Sequence, residues 1–146
     1  MVDNLKCDGV KNMNDTIREI RRLGANGCCC SQIMVQMGLD AIGDENPELM
    51  AAVAGLCGGL HSGLCCGILT GAACLLSMFD QPAAKAVMIP RLTAWFREAC
   101  APFYDGISCE EILEGNPANK IDRCPKLMAE TYEKCRELLA ESGREI

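Results

Sequence analysis

The chain has 146 residues and a formal charge of −6. Hydrophobic residues make up 49% of it, but aromatic residues are few, with one Trp, two Tyr and three Phe. This length corresponds to one domain that can bury its own core. The acidic balance argues against a nucleic-acid-binding protein, which needs a basic surface. With so few aromatic residues, the core must consist of Leu, Ile, Met, Ala and Cys, a composition that suits closely packed helices.

Helical patterns follow one another along the chain, and no segment has a convincing strand pattern. We therefore predict an all-α fold, a single-domain bundle of about six to seven helices over residues 1–146, with residues 1–13 as a loose N-terminus. The predicted helices are 15–24, 31–42, 46–57, 66–79, 82–103, 108–115 and 124–143.

Local signals indicate where several of these helices begin. Asn46 followed by Pro47 is typical of a cap and a first helical residue. Ser108 and Glu111 have the spacing of a capping box. By the same logic, a Cys before Pro125 is expected to cap the last helix. Inside the fifth helix, Pro90 should cause a kink or a break.

Residues 49–79 contain no Asp, Glu, Lys or Arg, a length that could span a bilayer. The run nevertheless contains six glycines and is interrupted at 57–63 by the sequence CGGLHSG. We therefore expect two buried helices joined by a Gly-rich loop, each too short to span well, and no membrane contact.

Twelve cysteines in 146 residues would indicate a disulfide framework in a small secreted chain. No secretory signal is visible at the start, so we predict a cytoplasmic protein in which thiols stay reduced. Cysteines there serve as ligands or redox groups more often than as staples. No pair has the C-x2-C spacing of a zinc ribbon, so any metal site must gather thiols from distant segments.

Thiols recur where the predicted helices begin, namely at Cys30, Cys66, Cys109 and Cys124. Helix N-termini carry free N–H groups and a partial positive charge. They lower the pKa of a thiol, and they favour an anionic inorganic cluster. We therefore predict that these thiols bind a metal or a cluster, with buried core thiols as the structural alternative.

With these cysteines and the residues around them, the chain resembles the C_GCAxxG_C_C family of proteins thought to be redox-active. The resemblance rests on Cys30-Ser-Gln, on Cys66-Gly-Ile-Leu-Thr-Gly, on Ser-Cys109-Glu-Glu and on Cys124 before the last helix, and covers roughly residues 16–140. Ile68 replaces the alanine of the family motif. A related domain in split-Soret cytochromes is thought to carry an iron–sulfur centre. The resemblance therefore implies redox chemistry on an iron–sulfur cluster, with Cys30, Cys66, Cys109 and Cys124 as its ligands.

The chain has more cysteines than the motif requires. At some positions, therefore, either the motif cysteine or the cysteine next to it could be the ligand. Cys28, Cys29 and Cys65 adjoin the motif positions and could join the site. A first alternative is a metal-free dithiol oxidoreductase or redox sensor that uses Cys29 with Cys30, or Cys65 with Cys66. A second is a structural or storage site for zinc or copper. Whether the protein is an enzyme or an electron carrier stays open, as does its redox partner protein, and a homodimer is plausible.

The remaining thiols and the single histidine carry weaker signals. Cys74 and Cys135 lie in apolar stripes and are expected to be core thiols. Cys7 is expected to be exposed, and Cys57 and Cys100 have no clear role. His61 is expected on the surface of the Gly-rich loop, with metal ligation, a hydrogen bond to sulfide or proton relay as alternatives.

Overall fold

A computed structural model describes residues 12–146, and within them the chain is all-α, as predicted. No strand forms in this range, although Cys65 and Ser108 make an isolated bridge. Most of the segment predicted to be loose, including Cys7, lies outside the described residues. The helices are α1 (Met13–Ala25), α2 (Cys30–Ala41), α3 (Pro47–Val53), α4 (Gly67–Phe79), α5 (Gln81–Ala83), α6 (Ile89–Cys100), α7 (Cys109–Leu113) and α8 (Lys120–Glu141), with 3-10 turns at Ala54–Leu56 and Pro117–Asn119.

Helix α4 lies at the centre of the bundle, packed against α2, α6 and α8. It approaches α2 so closely that a β-carbon built at Gly71 would lie 2.7 Å from the Cα atom of Ser31. Only glycine permits this distance between helix axes. The close crossing brings the N-terminal turns of α2 and α4, and the cysteines in them, into the same part of the fold.

The fifth predicted helix is interrupted, as its proline predicts. A short helix, α5, continues through a wider π-type turn at Ala84–Met88 into α6, whose second residue is Pro90. Proline has no N–H to donate to the preceding turn, so the backbone widens just before it.

The uncharged run 49–79 also divides as predicted, but only its second helix, α4, is largely buried, since Val53 is the one buried residue of α3. Helix α3 ends in a 3-10 turn, and the backbone is then left-handed over residues 58–61 and again at Gly63 before α4 begins. Gly59 cannot be replaced easily, since its φ is +62° and an added β-carbon would overlap the backbone of Leu64. Among residues 12–146, no helix is both long and apolar enough to cross a bilayer.

The last helix begins earlier than predicted, and Cys124 does not cap it. The side chain of Asn116 caps a 3-10 turn that begins at Pro117 and runs directly into α8 at Lys120. Pro117 therefore has the starting role that the sequence analysis gave to Pro125, which lies inside α8. A proline near the start of a long helix removes one hydrogen bond, and the packed turns beyond it outweigh that loss.

One face of α8 packs against the bundle, and Cys135 lies on it, as its predicted place in an apolar stripe requires. The buried residues of this face include Leu127, Thr131, Cys135 and Leu138. Cys135 is fully buried and Cys74 is half-buried, which fits the expectation that both pack as small apolar side chains.

Candidate functional site

Cys30 is the first residue of α2 and is 9% exposed. Its sulfur lies so close to the start of α4 that a β-carbon built at Gly67 would be 2.5 Å from Cys30 Sγ. The glycine that follows Cys66 in the motif therefore makes room for the Cys30 side chain. The side chain of Cys30 therefore lies against the residue that follows Cys66, although the two cysteines are far apart in sequence.

Backbone pairing brings Cys66 and Cys109 together. The N–H of Cys109 donates to the carbonyl oxygen of Leu64 at 2.7 Å, and the N–H of Cys66 donates to that of Ile107 at 3.3 Å. Cys66 is the N-cap of α4 and Cys109 is the first residue of α7, as the sequence predicts. The pairing therefore sets two helix N-termini side by side.

The predicted capping box fixes the start of α7. Ser108 Oγ accepts a hydrogen bond from the N–H of Glu111 at 3.0 Å, and Glu111 Oε1 accepts one from the N–H of Ser108 at 3.2 Å. These bonds satisfy backbone donors that the first helical turn leaves free. They hold Cys109 in the helical conformation that directs it towards the bundle.

Arg123 attaches α8 to α7 beside Cys124. Its guanidinium donates to the carbonyl oxygen of Ile112 at 2.7 Å and makes an ion pair with Glu114 at 2.6 Å. It also lies over the ring of Tyr104, 5.6 Å from the centroid. These contacts bring Cys124, although it does not begin a helix, to the same region as Cys109.

Cys30 is close enough to interact electrostatically with each of the other three predicted cysteines, and the four are called the thiol cluster here: Cys30, Cys66, Cys109 and Cys124. Burial is the main cause that raises the pKa of the last three, and electrostatic interaction with Cys30 raises the pKa of each of them further. The structure thus brings together one thiol from α2, one from α4, one from α7 and one from α8.

The pKa of Cys66, Cys109 and Cys124 moves in the direction opposite to the one expected from helix N-termini. Burial raises the pKa of Cys66, and the backbone N–H groups of Ile68 and Leu69 offset only part of that effect. Burial likewise raises the pKa of Cys124 to about 11, against a smaller lowering by Lys120. The helix-terminus effect is therefore present at Cys66, but desolvation outweighs it.

The chemistry of the thiol cluster suits a thiophilic metal or an iron–sulfur cluster, since all four donors are sulfur atoms and three of them are buried. The geometry is more open than a bound metal requires. Among residues 12–146, no three His, Cys, Asp or Glu side chains are grouped closely enough to hold a metal ion. Metal binding would require these thiols to draw together from their present positions.

Of the three additional candidates, Cys29 has another partner. It forms a disulfide with Cys57, 28 residues away, with the Cα atoms 6.0 Å apart. Neither vicinal pair considered from the sequence is bonded, since Cys30, Cys65 and Cys66 are free. Spacing along the chain gave no signal for this pairing, which depends on how α2 packs against the segment after α3.

The other cysteines among residues 12–146 are free. Cys65 is exposed and Cys28 is half-buried, whereas Cys100 is buried. Burial raises the pKa of Cys100 to about 11. His61 is exposed on the Gly-rich loop, with Nε2 2.9 Å from the carbonyl oxygen of Ala54, as expected for a surface loop residue.

Comparison with known proteins gives one family. Residues 28–138 match the sequence model described as "Putative redox-active protein (C_GCAxxG_C_C)". The chain belongs to this family. The match includes every member of the thiol cluster and both partners of the disulfide, so these features lie inside the family domain. No curated protein and no solved structure matches the chain.

Proposed function

We propose that this member of the redox-active family binds an iron–sulfur cluster through Cys30, Cys66, Cys109 and Cys124 and serves in electron transfer. The observation that supports the proposal is that Cys30 lies near thiols from three other segments, Cys66, Cys109 and Cys124, in one largely buried region. When bound, such a cluster would accept and release electrons at a potential set by its surroundings.

The raised pKa values favour metal ligation over thiol catalysis at these cysteines. A nucleophilic cysteine needs a lowered pKa, whereas burial raises the pKa of Cys66, Cys109 and Cys124. Without a cation, these buried thiols remain protonated and mutual repulsion opposes their ionisation. A metal reverses this preference, because coordination deprotonates a thiol outright.

The chain offers groups that would tune a cluster at this place. Backbone N–H groups of Ile68 and Leu69 are directed at the sulfur of Cys66. Lys120 supplies positive charge near Cys109 and Cys124. Hydrogen bonds and charge near the sulfurs are levers that set the potential of such centres. The electron partner, and a homodimeric state, remain predictions.

The test is the iron and acid-labile sulfide content of the full chain, purified anaerobically and reconstituted, together with its visible spectrum. We expect coloured protein with comparable amounts of iron and sulfide. Colourless protein that takes up zinc or copper but no sulfide would replace this function with a structural or storage metal site. Protein that binds no metal would overturn the metal proposal altogether.

A further inference from the structure

The bond between Cys29 and Cys57 lies outside the thiol cluster and has two unequal ends. Cys29, the N-cap of α2, is half-buried and accessible in part to solvent. Cys57, directly after the 3-10 turn, is only 3% exposed. An incoming thiolate can therefore reach the Cys29 sulfur more readily than the Cys57 sulfur, and Cys57 would be the leaving thiol.

The interior already contains a partner for Cys57 in its reduced form. Ser31 Oγ lies 2.9 Å from Cys57 Sγ and donates a hydrogen bond to the carbonyl oxygen of Val53 at 2.7 Å. A reduced Cys57 can donate its S–H to Ser31 Oγ while the hydroxyl keeps its bond to Val53. Reduction therefore leaves no unpaired polar group in this fully buried place.

Hydrogen bonds that do not involve the disulfide also hold the first turn of α2 against α3. The N–H of Cys29 donates to Gln32 Oε1 at 3.1 Å, and Gln32 Nε2 donates to the carbonyl oxygen of Met50 at 2.9 Å. Because these bonds and the contact of Ser31 do not need the S–S bond, the two sulfurs stay near each other after reduction. The pair can then reoxidise without refolding.

We propose that Cys29 and Cys57 form a reversible dithiol–disulfide couple that exchanges with small dithiols and disulfides. In reduction, one thiolate of a dithiol attacks Cys29 Sγ, forms a mixed disulfide and releases Cys57 as the leaving group. The second thiol of the reagent then displaces Cys29. Two electrons and two protons pass from the dithiol, which becomes a cyclic disulfide, to the two cysteines.

Neither cysteine of this couple belongs to the thiol cluster, so it is tested on metal-free full-length chain. The protein is equilibrated in mixtures of reduced and oxidised dithiothreitol, quenched with acid, alkylated with N-ethylmaleimide in denaturant so that buried thiols react, and digested at acidic residues. Cleavage between the two cysteines is possible at Asp40, Asp44, Glu45 and Glu48. Because neighbouring cysteines share a peptide, fragmentation in the mass spectrometer assigns the alkylated positions, and the digest reveals any cross-linked peptide.

We expect alkylation of Cys29 and Cys57 to rise together with the reduced fraction, from absent to complete, as the cross-linked peptide disappears. In Cys57→Ser, oxidised glutathione should exchange with the free Cys29 thiol, leaving one glutathione as a mixed disulfide at Cys29 and releasing one reduced glutathione, whereas Cys74→Ser should retain the cross-link. The proposal is overturned if Cys57 alkylates fully in every buffer, if it cross-links to Cys28 or Cys30 instead, or if the cross-link resists reduction until the chain unfolds. The wild-type titration decides this even if a variant fails to fold.

Discussion

The sulfur of Cys30 and the backbone of Gly67 are in direct contact, so close that a β-carbon on Gly67 would lie 2.5 Å from the sulfur. The same β-carbon would lie 3.1 Å from the carbonyl oxygen of Leu56 and 3.3 Å from the Cα atom of Cys57. Gly67 therefore lies between the thiol cluster and the disulfide. This one contact joins the two redox-capable features of the chain.

Gly67→Ala is expected to displace the Cys30 side chain. The added methyl group overlaps a buried sulfur and cannot avoid the nearby backbone, so the free energy of unfolding should fall by about 1–3 kcal/mol. Urea unfolding measures this loss, and iron uptake should fall with it. Gly55→Ala is the matched control, because a β-carbon there meets open space. Equal stability and equal iron content in the two variants would contradict the role given to Gly67.

Arg123→Lys is expected to loosen α8 from α7. Lysine cannot reproduce the combined contacts of the guanidinium with Ile112, Glu114 and the Tyr104 ring. We expect a loss of about 1–2 kcal/mol in the free energy of unfolding, together with faster alkylation of Cys109 and Cys124 in the native protein.

Arg91→Lys serves as the control for that variant. Arg91 pairs with Glu141 on the surface, where both side chains are about half exposed, at 48% and 47%. Exposed pairs contribute little to stability, so this variant should unfold like the wild type. If Arg123→Lys also left the alkylation rates of Cys109 and Cys124 unchanged, Arg123 would not be a positioning residue for the thiol cluster.

Alkaline pH is expected to destabilise the fold through buried thiols. Burial raises the pKa of Cys135 to about 12. In the unfolded chain, the pKa of a cysteine is about 8.5. The stability contributed by the neutral buried thiol is therefore complete below that pH and is lost as the pH rises towards 12. The stability difference between wild type and Cys135→Ala should therefore shrink from pH 7 to pH 10.

Leu138→Ala is the control for this measurement, since it also empties space on the buried face of α8 but removes no titrating group. Its stability difference from wild type should stay constant between pH 7 and pH 10. A constant difference for Cys135→Ala as well, in urea unfolding at both values, would show that Cys135 does not contribute to the pH dependence.

Ser31→Ala is expected to shift the Cys29–Cys57 couple towards the disulfide. The reduced Cys57 thiol would lose its hydrogen-bond partner, whereas the disulfide has no S–H to satisfy. We expect the equilibrium constant in a dithiothreitol buffer to change by about two- to tenfold, which corresponds to one ordinary hydrogen bond. An unchanged constant would mean that Ser31 does not stabilise the reduced state.

Local signals in the sequence predicted most of the fold because they act within one helical turn. The side chain of Asn46 caps α3, Ser108 and Glu111 form the capping box, and Gly143 follows the end of α8 with a φ of +84°. The same kind of signal failed at Pro125. Two Pro residues can each start a helix, and only the capped turn at Pro117 shows which of them does.

The surroundings of the predicted thiols depend on tertiary packing. Helix starts and the family motif pointed to Cys30, Cys66, Cys109 and Cys124 as ligands, which stays a prediction, and Cys124 lies inside α8 and not at its start. The raised pKa values follow from burial, which depends on tertiary packing and has no local signal. The Cys29–Cys57 bond depends in the same way on contacts between segments 28 residues apart.

The most direct test of the central proposal compares the iron content of two cysteine variants in the same helix. Cys66 caps α4 within the thiol cluster, whereas Cys74 is a half-buried thiol farther along α4. After anaerobic reconstitution, we predict that Cys66→Ala loses most of its iron, sulfide and visible absorption while Cys74→Ala keeps the wild-type values. Equal iron and sulfide in both variants, with both folded, would contradict an iron–sulfur site at the thiol cluster.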